Sequence, residues 1–295
     1  MKYFSILIAV ILLSSCSGTK QLIESRPEQT KAVASANDMT KTVKTTEAGE
    51  PTQQSLPEKT ETEAEQITLP PPPDPPKQVE DLMPLIHNRW NSILNTYVSN
   101  DGKVDYLGIK GSTEFDFYID ILLHNTPDDS WSKEQQLAYW INAYNALTVD
   151  LILRNYPLNS IKDIKDPWDQ RLWEFGDKWL NLNDIEHKIL RKMDEPRIHF
   201  AIVCASESCP KLLNEAFTPD NLEVQLTNAT KAFLSDTSKN KISENNLELS
   251  KIFKWFAKDF KNNGSLIDFL NQYTEVSISN NAKKSFKTYD WSLNN

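Results

Sequence analysis

The sequence predicts an α+β fold, a helix-rich single domain around a small, mainly antiparallel sheet. Two observations predict it. Apolar residues recur at helical spacing in several long stretches, the longest at residues 132–155. A short apolar run rich in β-branched residues, at residues 198–203, has the composition of a buried strand. We expect this strand to belong to the sheet.

The composition is that of a soluble protein, with 295 residues of which 39% are hydrophobic and 25% charged. The net charge of −9 provides no basic surface for nucleic acid. None of the seven glycines forms a phosphate-binding loop of the common types. We therefore expect no nucleic-acid partner and no cofactor, and the sequence predicts no oligomeric state.

The first residues have the pattern of a bacterial lipoprotein signal peptide, which we place at residues 1–15. Lys2 precedes an apolar run that is too short to span a bilayer permanently. The run ends in Leu-Ser-Ser before Cys16, which we expect to be diacylated and to anchor the chain in a membrane. Ser17, in place of an aspartate, favours the outer membrane, facing the periplasm or the cell surface. The alternative is an ordinary secretory signal that happens to contain a cysteine.

Residues 16–78 are rich in Thr, Glu, Ser and Pro and end in a proline-rich stretch. Such a segment buries too little apolar surface to fold, so we interpret it as a disordered tether. All eight tryptophans follow it. The globular domain is therefore predicted at residues 79–295.

The first half of this domain is predicted to be helical at residues 81–98, 113–123 and 132–155, with a turn and short strand at 100–106. Ser132 and Gln135 have the spacing of a capping box at the start of the longest helix. Asn142 and Asn145 lie on its mostly apolar second face. Buried amides need partners, so we expect them to bond to loop backbone, either to hold a site loop or simply to satisfy the core.

Residues 161–180 are predicted to be a covering loop that can include a short strand, and its tryptophans either line a cleft or cover the core. Residues 183–193 have the periodicity of a helix in which Glu186 projects into the apolar face and His187 lies at its edge. A carboxylate there must be paired, hydrogen-bonded or protonated. The alternative is a capping-box role with Asn183 as N-cap.

The rest of the chain is predicted to contain a helix that opens at Thr218-Pro219, a short strand at residues 247–249, helices at 252–260 and 265–273, and a final strand at 286–291.

The candidate site is the turn at residues 205–208 between Cys204 and Cys209, at the end of the predicted strand. On a regular strand His199 would face away from Cys204. We therefore predict Cys204 as nucleophile and His187 as general base. An acid or amide would orient the histidine, either Glu186 or one of the two asparagines, Asn142 or Asn145.

Several alternatives remain open at this turn. Cys209 could itself be the nucleophile, the two thiols could be inert, or they could form a disulfide, as paired cysteines outside the cytoplasm usually do. A labile disulfide with a redox role is a further alternative. No metal site is expected, because no second close pair of ligands exists in the sequence.

Three motifs and the tail resemble the domain of unknown function 547 family. The motifs are residues 137–148, 182–191 and 197–210, in that order, and the tail is 289–294. The resemblance implies a distant relation to papain-like and transglutaminase-like cysteine enzymes with rearranged strand order. Plant-type members carry serine at the position of Cys209, which favours Cys204 as the working residue.

Together these features predict a lipid-anchored cell-envelope protein with a cysteine-dependent amide hydrolase or acyl transferase domain, acting on peptide or cell-wall peptide. The alternative is a binding or scaffold module that contains a Cys204–Cys209 disulfide.

Overall fold

The computed structural model describes residues 79–262 and 264–295. The predicted signal peptide, the acylated Cys16 and the tether at residues 16–78 lie outside the described residues and stay predictions. Among the residues that are described, no helix is both long enough and apolar enough to cross a membrane.

The fold is built from short helices and strands around one long helix. The α-helices are α1 (Val79–Tyr97), α2 (Tyr106–Ile109), α3 (Thr113–His124), α4 (Lys133–Asn155), α5 (Leu182–Asp184), α6 (Leu222–Ser235), α7 (Ile252–Trp255) and α8 (Leu266–Asn271). The strands are β1 (Trp173–Phe175), β2 (Lys178–Leu180), β3 (Lys241–Ile242), β4 (Asn246–Leu249) and β5 (Lys283–Phe286).

Helix α4 is the centre of the larger apolar cluster. Ser132 caps it through the predicted capping box, in which its hydroxyl and the Gln135 side chain each bond to the other residue's backbone N–H. Nearly every residue from Leu137 to Ile152 is buried, so the helix is covered on all sides. Helices α1 and α3 pack together beside it. A second cluster, rich in phenylalanine, contains Phe200 and side chains of α6 to α8.

The sheets are small, and the α+β class is confirmed. Strands β1 and β2 form an antiparallel hairpin, in which Trp173 pairs with Leu180. The second sheet has the order β3-β4-β5, with an antiparallel β3–β4 pair and a parallel β4–β5 pair. The expected strand at residues 247–249 is therefore present, whereas the last strand ends at Phe286, where a strand was predicted to begin.

The predicted strand at residues 198–203 is wrong. A 3₁₀ helix spans Pro196–Phe200, and the backbone N–H groups of Ala201 and Ile202 both donate to the carbonyl of Ile198. Pro196 occupies the first turn, where its missing N–H costs nothing, and the Glu195 carboxylate accepts from the following N–H. A short buried apolar run has the same composition in a strand and in a helical turn, so composition alone could not distinguish the two.

Candidate functional site

A cavity of about 470 Å³ contains most of the residues that the sequence singled out. Its lining includes Glu186, His187, Cys204 and Cys209. The cavity lies where the two apolar clusters meet, because Val203 belongs to the first and Cys204 packs against the second. The cysteine turn and the preceding helical segment therefore contribute residues to one cavity.

The two buried asparagines of α4 bond to loop backbone, as predicted. The Asn145 side chain donates to the carbonyl of Ala201 at 2.9 Å and accepts from the N–H of Val203 at 2.9 Å. Asn142 makes the same pair of bonds to the backbone of Phe217. Asn145 therefore fixes the chain immediately before Cys204, whereas Asn142 acts away from the cavity.

Cys204 and Cys209 form a disulfide that closes the turn. Ala205 has a positive φ of 53°, which lets the chain reverse directly after Cys204. Cys204 is half-buried, whereas Cys209 is only 4% exposed. The backbone N–H of Cys204 donates to the Cys209 sulfur at 2.9 Å.

Residues 289–294 form a segment over this turn, which we call the strap. The N–H of Glu207 donates to the carbonyl of Ser292 at 2.8 Å, and that of Ser208 donates to the carbonyl of Asp290. The strap also carries Tyr289, whose hydroxyl lies 3.2 Å from the Cys204 sulfur and 3.3 Å from the Cys209 sulfur. Sequence reasoning missed Tyr289, since its pairing with the turn is not local.

Glu186 is buried in the cavity wall, with 6% of its surface exposed. Asn181, and not Asn183, caps this helical segment, so the capping-box alternative for Glu186 is wrong. Its carboxylate instead accepts from the Tyr144 hydroxyl at 3.2 Å. Burial raises the pKa of Glu186 to about 7, although the Tyr144 hydrogen bond and the charge of Arg191 partly oppose this.

Glu186 and His187 lie in a single π-helical turn at Ile185–Ile189, between α5 and a 3₁₀ turn. Such turns are rare and often occur at functional sites. His187 Nδ1 accepts from a guanidinium N–H of Arg191 at 3.1 Å and lies 4.0 Å from Glu186 Oε1. A guanidinium can only donate, so the ring proton of His187 is on Nε2. Burial and the charge of Arg191 lower the pKa of His187.

His199 is the residue whose arrangement the sequence did not predict. Its ring lies in the cavity wall, stacked on Phe256 with centroids 3.9 Å apart, and Nε2 is 2.8 Å from Asp259 Oδ2. Arg191 holds the same carboxylate through two hydrogen bonds. The objection that His199 faces away from Cys204 depended on strand alternation, which does not exist here.

The charges around His199 fix its tautomer. Burial opposes the ionisation of Asp259, but hydrogen bonds from His199 and Arg191 outweigh it and lower the pKa of Asp259. Burial lowers the pKa of His199, although Asp259 opposes this. The ring is therefore neutral near pH 7 and donates Nε2–H to the carboxylate. Its Nδ1, which bonds to no described residue, is then the proton acceptor.

Aromatic side chains form one wall of the cavity. Trp255 is stacked on Trp291 with centroids 5.7 Å apart, and Tyr289 and Trp168 each contact Trp291. The tryptophans of the covering loop therefore occupy three different environments. Trp168 lines the cavity, Trp173 is buried in the core and Trp179 is half exposed.

The histidines and acids of the cavity do not form a metal site. No group of three or more His, Cys, Asp or Glu side chains in the described part of the chain is arranged to hold an ion. In the disulfide state no described histidine hydrogen-bonds to either sulfur, whose polar neighbours are Ser206, Tyr289 and the backbone N–H of Cys204.

Comparison with known proteins places a family match on this region. Residues 129–234 match the family model described as "Protein of unknown function, DUF547". No curated protein and no solved structure matches the chain. The matched segment includes the three predicted motifs and both cysteines, whereas Asp259, Tyr289 and the tail lie outside it. Residues 129–234 are therefore similar to the DUF547 family.

Proposed function

We propose that the chain is a lipid-anchored cell-envelope protein whose domain carries out cysteine-dependent acyl chemistry, either hydrolysis of an amide bond or transfer of its acyl group. The proposal depends on the pairing of His199 with Asp259, because His199 lines the same cavity as Cys204. An imidazole that donates Nε2–H to a carboxylate keeps Nδ1 free to accept a proton.

The reaction begins once the disulfide is reduced. The Cys204 thiol gives its proton to Nδ1 of His199, and the thiolate attacks the substrate carbonyl carbon. Asp259 stabilises the imidazolium that forms. The proton then passes to the leaving amine, the C–N bond breaks, and the acyl group stays on sulfur as a thioester. Water hydrolyses this thioester, or a second amine takes the acyl group.

The other two predicted residues receive different roles. His187 carries its proton on Nε2, so it is better suited to donate a hydrogen bond to the developing oxyanion than to act as the base. Glu186 has a pKa of about 7 and can exchange a proton with the cavity at neutral pH. Asn145 positions Cys204 through the backbone before it.

The substrate class we propose is peptide or cell-wall peptide. The aromatic wall at Trp255, Tyr289 and Trp291 supports a ligand with apolar surface, and the nearby Arg191 supports one that also carries polar groups.

The acyl chemistry is tested by trapping the thioester. The full chain, reduced with a phosphine, is mixed with p-nitrophenyl acetate, and peptides are examined by mass spectrometry. We expect acetylation of Cys204, slowed by about 100-fold in His199→Gln, whose amide can still donate to Asp259 but has no basic nitrogen. His124→Gln, an exposed histidine on α3, is the control. Acetylation that is unchanged in His199→Gln would contradict the proposed base.

The lipid anchor is tested by cell fractionation. The unchanged chain should be found in the outer-membrane fraction and be released only by detergent, because stable anchoring requires several acyl chains. Cys16→Ser should lose the lipid. Recovery of both proteins in the same membrane fraction, without lipid on either, would contradict the anchor.

A binding or scaffold module is the second candidate. The Cys204–Cys209 disulfide favours it, because a cysteine held in this bond cannot act as a nucleophile on a carbonyl. This function predicts that the oxidised chain binds peptide while the reduced chain forms no acetyl adduct.

A further inference from the structure

We propose that the cavity has a second activity, in which the Cys204–Cys209 disulfide exchanges with dithiol substrates and takes two electrons from them. This inference does not depend on the acyl chemistry, since it begins from the oxidised state that the structure contains. The ligand class is a small molecule or peptide with two neighbouring thiols.

Exposure determines which sulfur is attacked. Both cysteines line the cavity, but Cys204 is half-buried and Cys209 is almost completely buried. Thiol–disulfide exchange requires the incoming thiolate to approach one sulfur while the other leaves, and access limits the rate. The geometry therefore assigns Cys204 as the attacked sulfur and Cys209 as the leaving sulfur.

The surroundings of Cys209 stabilise it as a leaving thiolate. It accepts a hydrogen bond from the backbone N–H of Cys204 at 2.9 Å and one from the Tyr289 hydroxyl at 3.3 Å. Hydrogen bonds to the charged form lower the pKa of a thiol, and a thiol with a lower pKa leaves faster. The N–H group already makes this bond in the oxidised state, so it is in place before the reaction.

The strap keeps the turn folded when the sulfur–sulfur bond opens. Its backbone hydrogen bonds to Glu207 and Ser208 do not involve the cysteines. Asn145 holds the chain on the other side of Cys204. The cavity can therefore keep its shape in both redox states, as a repeated exchange requires.

The proposed exchange takes place in two steps and conserves atoms and electrons. One substrate thiolate attacks the Cys204 sulfur, the Cys204–Cys209 bond breaks, and its electron pair goes to Cys209. The second substrate thiolate then attacks the substrate sulfur of this mixed disulfide, and Cys204 leaves as a thiolate. The substrate is oxidised to a disulfide, the protein is reduced, and the two protons from the substrate thiols end on Cys204 and Cys209.

The first test is reduction of the folded chain by dithiothreitol, the dithiol probe. We expect the oxidised full chain to be reduced at neutral pH without denaturant, and to reach an equilibrium with oxidised and reduced dithiothreitol that defines a reduction potential. Reduction that occurs only after unfolding in urea would overturn the proposal. The assay uses a dithiol and no acyl donor, so its failure can be distinguished from a failure of the acyl test, in which a phosphine reduces the chain before the acyl donor is added.

The second test separates the roles of the two sulfurs. Cys209→Ser leaves Cys204 as the accessible thiol, and an aromatic disulfide reagent should trap it at least about tenfold faster than it traps Cys209 in Cys204→Ser. Tyr289→Phe removes one donor to Cys209 and should slow reduction several-fold, whereas Tyr273→Phe, a half-buried tyrosine outside the cavity, should not. Faster trapping of Cys209, or equal effects of the two tyrosine variants, would overturn the assignment.

Discussion

Glu186 is a carboxyl group in the wall of a cavity, hydrogen-bonded to a buried tyrosine. Its position in an apolar face was predictable from the spacing of Ile185, Ile189 and Leu190, and so was its need for a partner. The partner itself was not predictable, since Tyr144 lies on α4, 42 residues away. Helical periodicity predicts which face of a helix is buried, but it does not predict which residues pack against that face.

Replacing this carboxyl group by an amide should change how stability depends on pH. Burial raises the folded-state pKa of Glu186 from its ordinary 4.5 to about 7, so ionisation favours the unfolded state. The free energy of unfolding of the unchanged chain therefore falls as the pH rises from about 4.5 to about 7. Glu186→Gln cannot ionise and therefore does not lose this stability. The free energy of unfolding of Glu186→Gln minus that of the unchanged chain should be roughly 3 kcal/mol larger at pH 8 than at pH 4.

Urea unfolding at the two pH values measures this difference in the free energy of unfolding. Glu174→Gln, at an exposed carboxylate on β1, is the matched control for the change from acid to amide. If Glu186→Gln and Glu174→Gln behave alike across this range, Glu186 is not buried as described.

His199 shows how a wrong secondary-structure prediction changes the interpretation of one residue. Its dismissal as a base rested on a strand, and alternation along a strand would have placed it opposite Cys204. A 3₁₀ turn has three residues per turn, so the same separation no longer implies opposite faces. The partner Asp259, 60 residues later, gave no sequence signal.

At the scale of elements, strong local signals were predicted well. The capping box of α4 and its end before Pro157 specify a helix without tertiary help. Helix α3 was placed to within a residue for a similar reason. The π-helical turn at Ile185–Ile189 was not predictable, because its sequence also fits an ordinary helix.

The strap is the least local element, and it was predicted only as a final strand. It instead pairs with the cysteine turn through single backbone bonds and a bridge between Ser206 and Leu293. Pairings of this kind join segments at least 80 residues apart, and the periodicity of neither segment predicts them.

Weakening the strap should destabilise the cysteine turn. Leu293 is 5% exposed and packs in the larger apolar cluster, so Leu293→Ala should lower the free energy of unfolding by about 2–4 kcal/mol. The Glu207 amide, which donates to the strap, should also exchange hydrogen faster. Leu107→Ala, at a leucine that is 69% exposed, is the control and should cost less than about 0.5 kcal/mol. Equal losses in both variants would contradict the described strap.

On the scale of the whole molecule, the cavity lies where two apolar clusters meet. Its chemical groups come from several separate segments, which include the π-helical turn, the 3₁₀ helix that carries His199, the cysteine turn and the strap. The fold class was predictable from local sequence patterns, and the role predicted for His187 beside Cys204 required their two segments to lie at one cavity. The Asp259–His199 pair was not predictable, since it depends on how the second cluster packs on the first.

The central claim is that the Cys204 thiol and His199 act together in this cavity. The most direct measurement is the rate of Cys204 alkylation by iodoacetamide in the reduced chain, as a function of pH, for the unchanged protein, His199→Gln and His187→Gln. We expect His199→Gln to shift the alkylation profile to higher pH and to slow the reaction at pH 7 by about tenfold or more, with a smaller change for His187→Gln. A profile that is the same in the unchanged chain and in His199→Gln would contradict the account.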